Sequence, residues 1–545
     1  MPIITFDYQD FLFLLNHRIS KDDLVQKLPM IGADFDAIDG DKLSVEFFPN
    51  RPDLTSVEGI ARAARAFFGF QPGLQSYEVK KSDIQITVDP SVKKVRPFVT
   101  TAIVKQIKMT DELIISLMDM QEKLHSGLGR NRKKVAIGVH NLEPLTPPFT
   151  YKAVDPKSVS FVPLAKTESM TLDQILRHHE KGVDYAFILD GCEKYPLIVD
   201  AQGNVLSFPP IINGSLTEVT SSTTDLFIDV TGTDRKAINS ALNILTTALA
   251  ERGGHIYSTI VHDGAQSFVT PDLTPLQKTL TVQGVERVLG IHLSEQDIIK
   301  NLEKMGYSST IQEPGVLFVQ IPSWRADILH EVDLIEDVAI GFGFDLLQSD
   351  LPRALTFGKP LKNQSLYEAL RAICIGLGFN EATSFTISNE EVEFHNMGFE
   401  SGELVTLENP IGEEYSCLRV SLLPSLLALL KENKHHSLPQ QMFELGFVVD
   451  GKGKNHRNLG MIKIDAKANY SLCKSLVEAV LRDSGIGFSL AEANHPAFIP
   501  GRCATVIKDK TIIGIFGELH PRTITAFKLE HPIIAIELFV DLLHP

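Results

Sequence analysis

The stretch PSWRADILHEVDLIEDVAIGFGFD, Pro322 to Asp345, is the part of the chain from which the rest can be read. From Glu331 the apolar residues Val332, Ile335, Val338 and Ala339 recur at helical spacing and end near Gly341 and Gly343, which predicts an amphipathic helix. Asp333, Glu336 and Asp337 are three and four residues apart, so they are expected together on the face opposite that stripe. Asp327 lies in the turn after Pro322, where it can fold back toward the same face. Clustered carboxylates repel unless a cation neutralises them, and oxygen-only ligands suit a hard ion such as magnesium. The same residues also read as the solvated acidic face of an ordinary surface helix.

At 545 residues the chain exceeds one typical core and should hold several domains. Its 43% hydrophobic and 22% charged residues are ordinary globular composition. A net charge of −16 argues against a surface that binds nucleic acid everywhere, so RNA contact must be local or shared with a more basic partner. The five cysteines are scattered and form no CxxC pair, which points away from zinc and disulfide frameworks. The opening MPIITFDYQD does not read as a signal peptide, and no apolar run approaches a membrane span. A reducing cytoplasm is the expected setting, with no membrane partner.

Residues 1–80 read as a small α/β module. LSVEFF, Leu43 to Phe48, alternates like a strand, and PNRPDL turns the chain. Thr55 and Glu58 have capping-box spacing for the next helix, whose Arg62 and Arg65 are expected to point away from its apolar stripe. Arg51 and Asp53 of NRPD read first as an ion pair, with RNA contact as the alternative. Residues 85–265 read as short strands and mixed loops. In KLHSGLGRNRKKVAIGVHNL, the cations Arg130, Arg132, Lys133 and Lys134 precede the strand VAIGV; they suit phosphate contact, or simply a solvated loop. Further on, LFIDVTGTD places Asp229 and Thr231 two apart, on one side of a strand, before a helix from Arg235 to about Arg252. Residues 268–350 form a unit of strand, helix, turn and helix, with Ser294 and Asp297 as a cap, closing on the acidic helix. The linker SDLPRALTFGKPLKN leads to residues 355–545, where strands such as TIIGIFG and IIAIEL alternate with helices and suggest an antiparallel sheet flanked by helices.

The acidic helix, FFPNRPDLTSVEGIARAARAFFG and the string from GRCA to GELHP together resemble the beta subunit of phenylalanine–tRNA ligase, in its archaeal and eukaryotic form. That resemblance runs through all four regions in order. It implies a multidomain α+β protein: the N-terminal α/β module, an editing domain, a small metal-bearing domain and a class II ligase-like antiparallel sheet domain. It implies that Asp327, Asp333, Glu336 and Asp337 hold magnesium at the contact with an alpha subunit, Asp337 standing where Glu is more usual. It implies two alpha and two beta chains, tRNA for phenylalanine as a partner, and ATP and phenylalanine bound by the holoenzyme.

The resemblance also implies that residues 85–265 hydrolyse tyrosine misattached to the phenylalanine tRNA. A site built for phenylalanine rejects an added hydroxyl poorly, whereas a second pocket with polar groups for the phenol discriminates the other way. Asp229 and Thr231 are the expected polar pocket residues, with walls from Leu197, Leu206, Pro209 and Asn213. No Ser/His/Asp or Cys/His constellation is evident, so attack by a positioned water is expected.

The last domain departs from the working class II pattern, which needs a GxGxxxR clamp for ATP phosphates. GLGFNEA and GFGFDLL both lack the arginine. No catalytic residue for aminoacylation is therefore expected in this chain, and the synthetic site is expected on the alpha subunit. A free-standing deacylase and a scaffold with a silent pocket are the competing readings.

Overall fold

The computed structural model describes residues 2–351 and 356–543. The chain divides into two compact units, Met1–Leu351 and Pro352–Pro545. The middle of the expected linker, and the expected domain start at residue 355, lie outside the described residues.

The first unit opens with strands Ile3–Asp7, Lys42–Phe47 and Ala33–Asp39, antiparallel with Lys42–Phe47 in the centre. Leu43, Val45 and Phe47 share one face of that central strand and pack with Val57, Ile60, Ala61 and Ala64 of helix Val57–Phe67. Ser56 caps this helix instead of Thr55, its hydroxyl accepting from the Gly59 N–H at 3.3 Å. Arg62 and Arg65 do not point to solvent. Arg62 is 4% exposed with its guanidinium 4.3 Å from the Trp324 ring, while Arg65 donates to the Leu14 carbonyl at 2.9 Å and to Glu251 at 2.5 Å. Chain from far along the sequence covers what a lone helix would leave wet. Arg51 and Asp53 form a two-pronged pair, with both N–H···O distances 2.8 Å.

The middle of this unit is two sheets. One has the order Val79–Lys80, His255–Tyr257, Phe98–Lys105, Leu226–Gly232, Val135–Asn141; the other runs Ile212–Asn213, Val205–Phe208, Tyr195–Val199, Phe149–Val154, Gln85–Val88, Thr259–Asp263, Gln266–Thr270. Helices Asp111–Ser126 and Arg235–Glu251 cover the first sheet, and Leu226, Ile228 and Val230 face them. Phe227, on the opposite side of the same strand, packs with Phe149, Tyr151 and Leu206 of the second sheet. Asp229 and Thr231 share that side, so the strand carries carboxylate and hydroxyl into a buried layer. Every residue of Leu226–Gly232 is buried. Val135–Asn141 lies at the edge of its sheet, and that edge borders the cavity described below.

The unit closes with the three-stranded sheet Leu276–Thr281, Val316–Ile321, Ser308–Glu313 and helices Val282–Leu289, Glu295–Lys304 and Glu331–Phe342. Ser294 and Asp297 form the expected reciprocal cap. On Glu331–Phe342, Leu334, Ile335 and Val338 are buried against Val285, Ile298 and Leu302. Val332, expected in the stripe, is 49% exposed, and Asp337, expected on the opposite face, is 4% exposed. The buried arc is rotated toward Asp337 because Tyr307 and Arg325 supply polar partners there.

In the second unit the sheet order is Asn380–Glu381, Gln440–Val449, Asn455–Ile464, Ile533–Phe539, Thr511–Leu519, Phe498–Lys508, Ser489–Glu492. It is antiparallel except for the pairing of Asn380–Glu381. Its two faces are separately covered. Met461 packs on the side of helices Gln364–Gly376 and Tyr470–Asp483, and Ile462 on the side of Leu423–Glu432. All five cysteines are free thiols. No described helix is long and apolar enough to cross a membrane.

Candidate active site

A cavity of about 320 Å3 opens along the Val135–Asn141 edge, walled by helix Asp111–Ser126 and by the chain from Ser207 to Val219. Asp229, Asn213 and Pro209 line it. The other three expected pocket residues lie outside its wall. Leu197 and Leu206 are fully buried in apolar clusters, and Thr231 is held by Arg96, whose Nε donates to Oγ1 at 2.9 Å and whose Nη2 donates to the Thr231 carbonyl at 2.7 Å. Burial lowers the Arg96 pKa to about 10, against the opposing pull of Tyr151 and Asp229.

Asp229 is 1% exposed and meets His140 Nε2 at 2.7 Å, while His140 Nδ1 meets Thr217 Oγ1 at 2.8 Å. This buried Asp–His–Thr chain orients the carboxylate at the cavity. Asn213 donates to the Val139 carbonyl at 3.4 Å and so partners the outer edge of the strand. Gly138 lies opposite Asp229, where a side chain would fill the place of the Asp229–His140 contact.

The basic loop enters the site in part. Arg130, Asn131 and Arg132 have φ of 48°, 53° and 64°, three consecutive left-handed residues without glycine. That turn sends the Arg132 side chain inward, where it is 7% exposed. Its Nη1 donates to the Ile211 carbonyl at 3.0 Å, its Nη2 donates to Glu122 at 2.6 Å, and its guanidinium stacks 4.2 Å from the Tyr185 ring. Arg130 and Lys133 stay exposed, and Lys134 pairs with Asp234 at 3.1 Å. His125, Glu122, Arg132 and Thr217 line the cavity and His140 lies behind Asp229, and none of these roles was legible in the sequence. The one available signal was that His125 precedes the basic loop and His140 lies in the strand that follows it.

The acidic helix presents a second constellation. Asp327 receives Arg325 through two bonds, 2.8 Å to Oδ1 and 2.6 Å to Oδ2. Asp337 Oδ2 accepts from the same Arg325 at 2.6 Å and from the Tyr307 hydroxyl. Asp333 Oδ2 accepts the Leu329 and His330 N–H groups, each at 2.7 Å, as part of the helix cap. Glu336 faces outward, and its pKa is raised by partial burial and by the charges of Asp337, Asp333 and Asp327. Among the described residues no three metal-ligating side chains converge as a ready cage. The donor chemistry still fits a hard cation: carboxylate oxygens only, and a repulsion at Glu336 that a dication would relieve.

Among the described residues of the second unit, two arginines are taken up by neighbouring acids. Arg419 is 2% exposed and spends its guanidinium on Glu444 at 2.6 Å, the Ser384 hydroxyl at 2.8 Å and the Phe447 carbonyl at 2.8 Å. Arg502 donates to both oxygens of Glu518 at 3.0 Å.

Residues 278–344 match the tRNA synthetase B5 domain, and residues 347–540 match the phenylalanyl tRNA synthetase beta chain CLM domain. The phenylalanine–tRNA ligase beta subunit of Methanothrix thermoacetophila is 44% identical over 544 residues, covering 99% of this chain and 100% of the relative. That of Archaeoglobus fulgidus is 44% identical over 541 residues, covering 99% and 98%. An N-terminal fragment of the phenylalanyl-tRNA synthetase beta subunit from Pyrococcus horikoshii superposes with a TM-score of 0.61 at 36% identity, covering 63% of this chain and 99% of the fragment. The chain belongs to the phenylalanine–tRNA ligase beta subunit family, and it is a subunit of an aminoacyl-tRNA ligase of protein biosynthesis.

Proposed function

We propose that this chain supports ATP-dependent charging of the phenylalanine tRNA by an alpha subunit and itself hydrolyses tyrosine misattached to that tRNA. The observation that carries the editing reading is the 320 Å3 cavity in which a buried, His-oriented Asp229 and Asn213 meet apolar walls. A tyrosyl side chain suits such a space. Its phenol O–H can donate to Asp229, whereas phenylalanine would leave the carboxylate oxygen not held by His140 without that bond, the asymmetry that makes a polar pocket selective. No nucleophile stands beside a base there, which favours a positioned water as the attacking group.

The internal commitment of Arg419 supports a class II-like domain that packs without binding ATP. In this reading the N-terminal module is residues 1–80, the editing domain 85–265, the metal-bearing domain 268–350 and the ligase-like domain 355–545. ATP and phenylalanine bind the holoenzyme of two alpha and two beta chains in the cytoplasm. Asp327, Asp333, Glu336 and Asp337 are the residues that would hold magnesium in this reading. When bound, the ion supplies charge neutralisation at the contact with the alpha subunit. Exposed Arg130 and Lys133, with Lys134, form the local positive surface for tRNA phosphates, anchored from inside by Arg132.

Tyrosine release from Tyr-tRNA tests the reading, with this chain alone, with its alpha subunit, and with Asp229→Ala in the complex. Release that needs the partner and disappears in the variant is expected. Normal phenylalanine charging without any tyrosine release would leave the chain a scaffold with a silent pocket, and release by the isolated chain would favour a free-standing deacylase.

A further inference from the structure

Two side chains lining the cavity carry buried polar atoms that have been removed from water without receiving a hydrogen-bond partner among the described residues: His125 Nδ1 and Arg132 Nε. The two are adjacent, since the Arg132 N–H donates to the His125 carbonyl at 3.0 Å. His125 is 5% exposed, and its Nε2 accepts the Ile137 N–H at 2.8 Å. A ring nitrogen that accepts keeps its lone pair, so the proton of the neutral imidazole must sit on Nδ1. Protonating the ring would set one N–H against another, and the strand therefore fixes both the tautomer and the neutral state. Glu122 Oε1 stands 3.8 Å from Nδ1, too far for a hydrogen bond, and is held instead by Arg132 Nη2 at 2.6 Å. The other Arg132 nitrogens are occupied by the Pro210 and Ile211 carbonyls and Glu122, which leaves Nε.

The cavity thus has two chemically different polar parts. Asp229 can accept and orient a phenol O–H. His125 and Arg132 also line the cavity, and their Nδ1–H and Nε–H, covered in this structure until a ligand uncovers them, can only donate. An aminoacyl ester bound there has one prominent acceptor, its carbonyl oxygen. The geometry points to His125 and Arg132 as catalytic donors to the ester carbonyl oxygen of misacylated tRNA during its hydrolysis, an assignment that rests on the editing reading above. As water attacks, its oxygen bonds to the carbonyl carbon and the carbonyl oxygen takes up negative charge. The bond from that carbon to the ribose oxygen then breaks. One water proton ends on the ribose oxygen, and the other is released as the freed tyrosine carboxyl ionises. Donors that reach the developing oxyanion stabilise the transition state more than the ground state.

The test is tyrosine release from Tyr-tRNA by the alpha–beta holoenzyme carrying wild-type chain, His125→Leu, His125→Gln or Arg132→Lys. Glutamine keeps both functions of the ring, an acceptor for the Ile137 N–H and a donor for the ligand. His125→Leu is expected to lower kcat about 100-fold with little change in KM, the scale of losing one oxyanion donor. His125→Gln is expected to restore most of that loss, and Arg132→Lys, which removes the Nε donor, to lower kcat; its KM is not part of the criterion, because Arg132 also anchors the tRNA-facing loop. Melting curves and phenylalanine charging establish that each variant is folded; should His125→Leu fail to fold, Arg132→Lys is read by its kcat alone. A raised KM with unchanged kcat, or glutamine no better than leucine in a folded protein, overturns the assignment and leaves His125 a support for the strand. Wild-type release with full kcat in His125→Leu removes this proposal alone, while absence of release from wild type removes the editing reading with it.

Discussion

Gly138 stands directly opposite Asp229 in the antiparallel pairing, and a β-carbon on it would come within 2.3 Å of Asp229 Oδ2 and 2.7 Å of His140 Nε2. The carboxylate reaches its histidine only because this position has no side chain. Gly138→Ala should therefore separate Asp229 from His140. Overpacking of this kind costs about 1–3 kcal/mol. The expected result is a lower melting temperature and tyrosine release reduced far more than phenylalanine charging. Unchanged release in a variant of wild-type stability would show that the Asp229–His140 contact does not serve the cavity.

Arg325 offers a separate test, of stability. It is 3% exposed and neutralises Asp327 and the buried Asp337 together. Arg325→Met keeps an apolar stem but strands both carboxylates, and breaking a buried pair from one side costs about 3–5 kcal/mol. Urea unfolding should show the loss in the transition that reports the first unit. A loss below about 1 kcal/mol, the range of exposed pairs, would mean that water reaches these carboxylates freely.

What the sequence made legible was local. Strand alternation through Leu43, Val45 and Phe47, the Ser294–Asp297 cap and the same-side relation of Asp229 and Thr231 all depend on neighbours a few residues away. What it hid depends on distant chain. Thr231 shares its side with Asp229, yet Arg96 from across the sheet claims it, and its contribution is to hold the buried layer. Arg132 reads as surface charge until three left-handed residues turn it inward. Asp337 reads as a wet acid until Tyr307 and Arg325 arrive to satisfy it. Long charged side chains are the hardest to place from periodicity, because a partner decides whether burial is tolerable.

Magnesium binding at the acidic helix should appear as a stability effect. A ligand at one hundred times its Kd stabilises the folded state by about 2.7 kcal/mol. Adding magnesium to chelator-treated protein should raise the melting temperature, and Glu336→Gln should abolish most of the response while leaving Arg325 and its two partners in place. An equal response in wild type and Glu336→Gln would move any cation elsewhere.

Glu393 should make the second unit sensitive to pH. It is 3% exposed, and Oε2 accepts the Val420 N–H at 3.0 Å while Oε1 has no partner among the described residues. Burial raises its pKa to about 7, against the lowering effect of the backbone and Ser388 contacts. Because the folded value lies above the unfolded one, near 4.5, the folded state holds a proton that the unfolded state has released across that interval. Stability is therefore greatest at the acid end and falls as pH rises from about 4.5 to about 7, by on the order of 3 kcal/mol if the shift is expressed in full. Glu393→Gln keeps an acceptor for Val420 and has no proton to lose. The variant should match wild type near pH 4.5, exceed it at pH 8 and flatten the curve between, as read from denaturant midpoints of the second unit. Parallel wild-type and variant curves would mean that Glu393 ionises without cost, with water at the unpartnered oxygen.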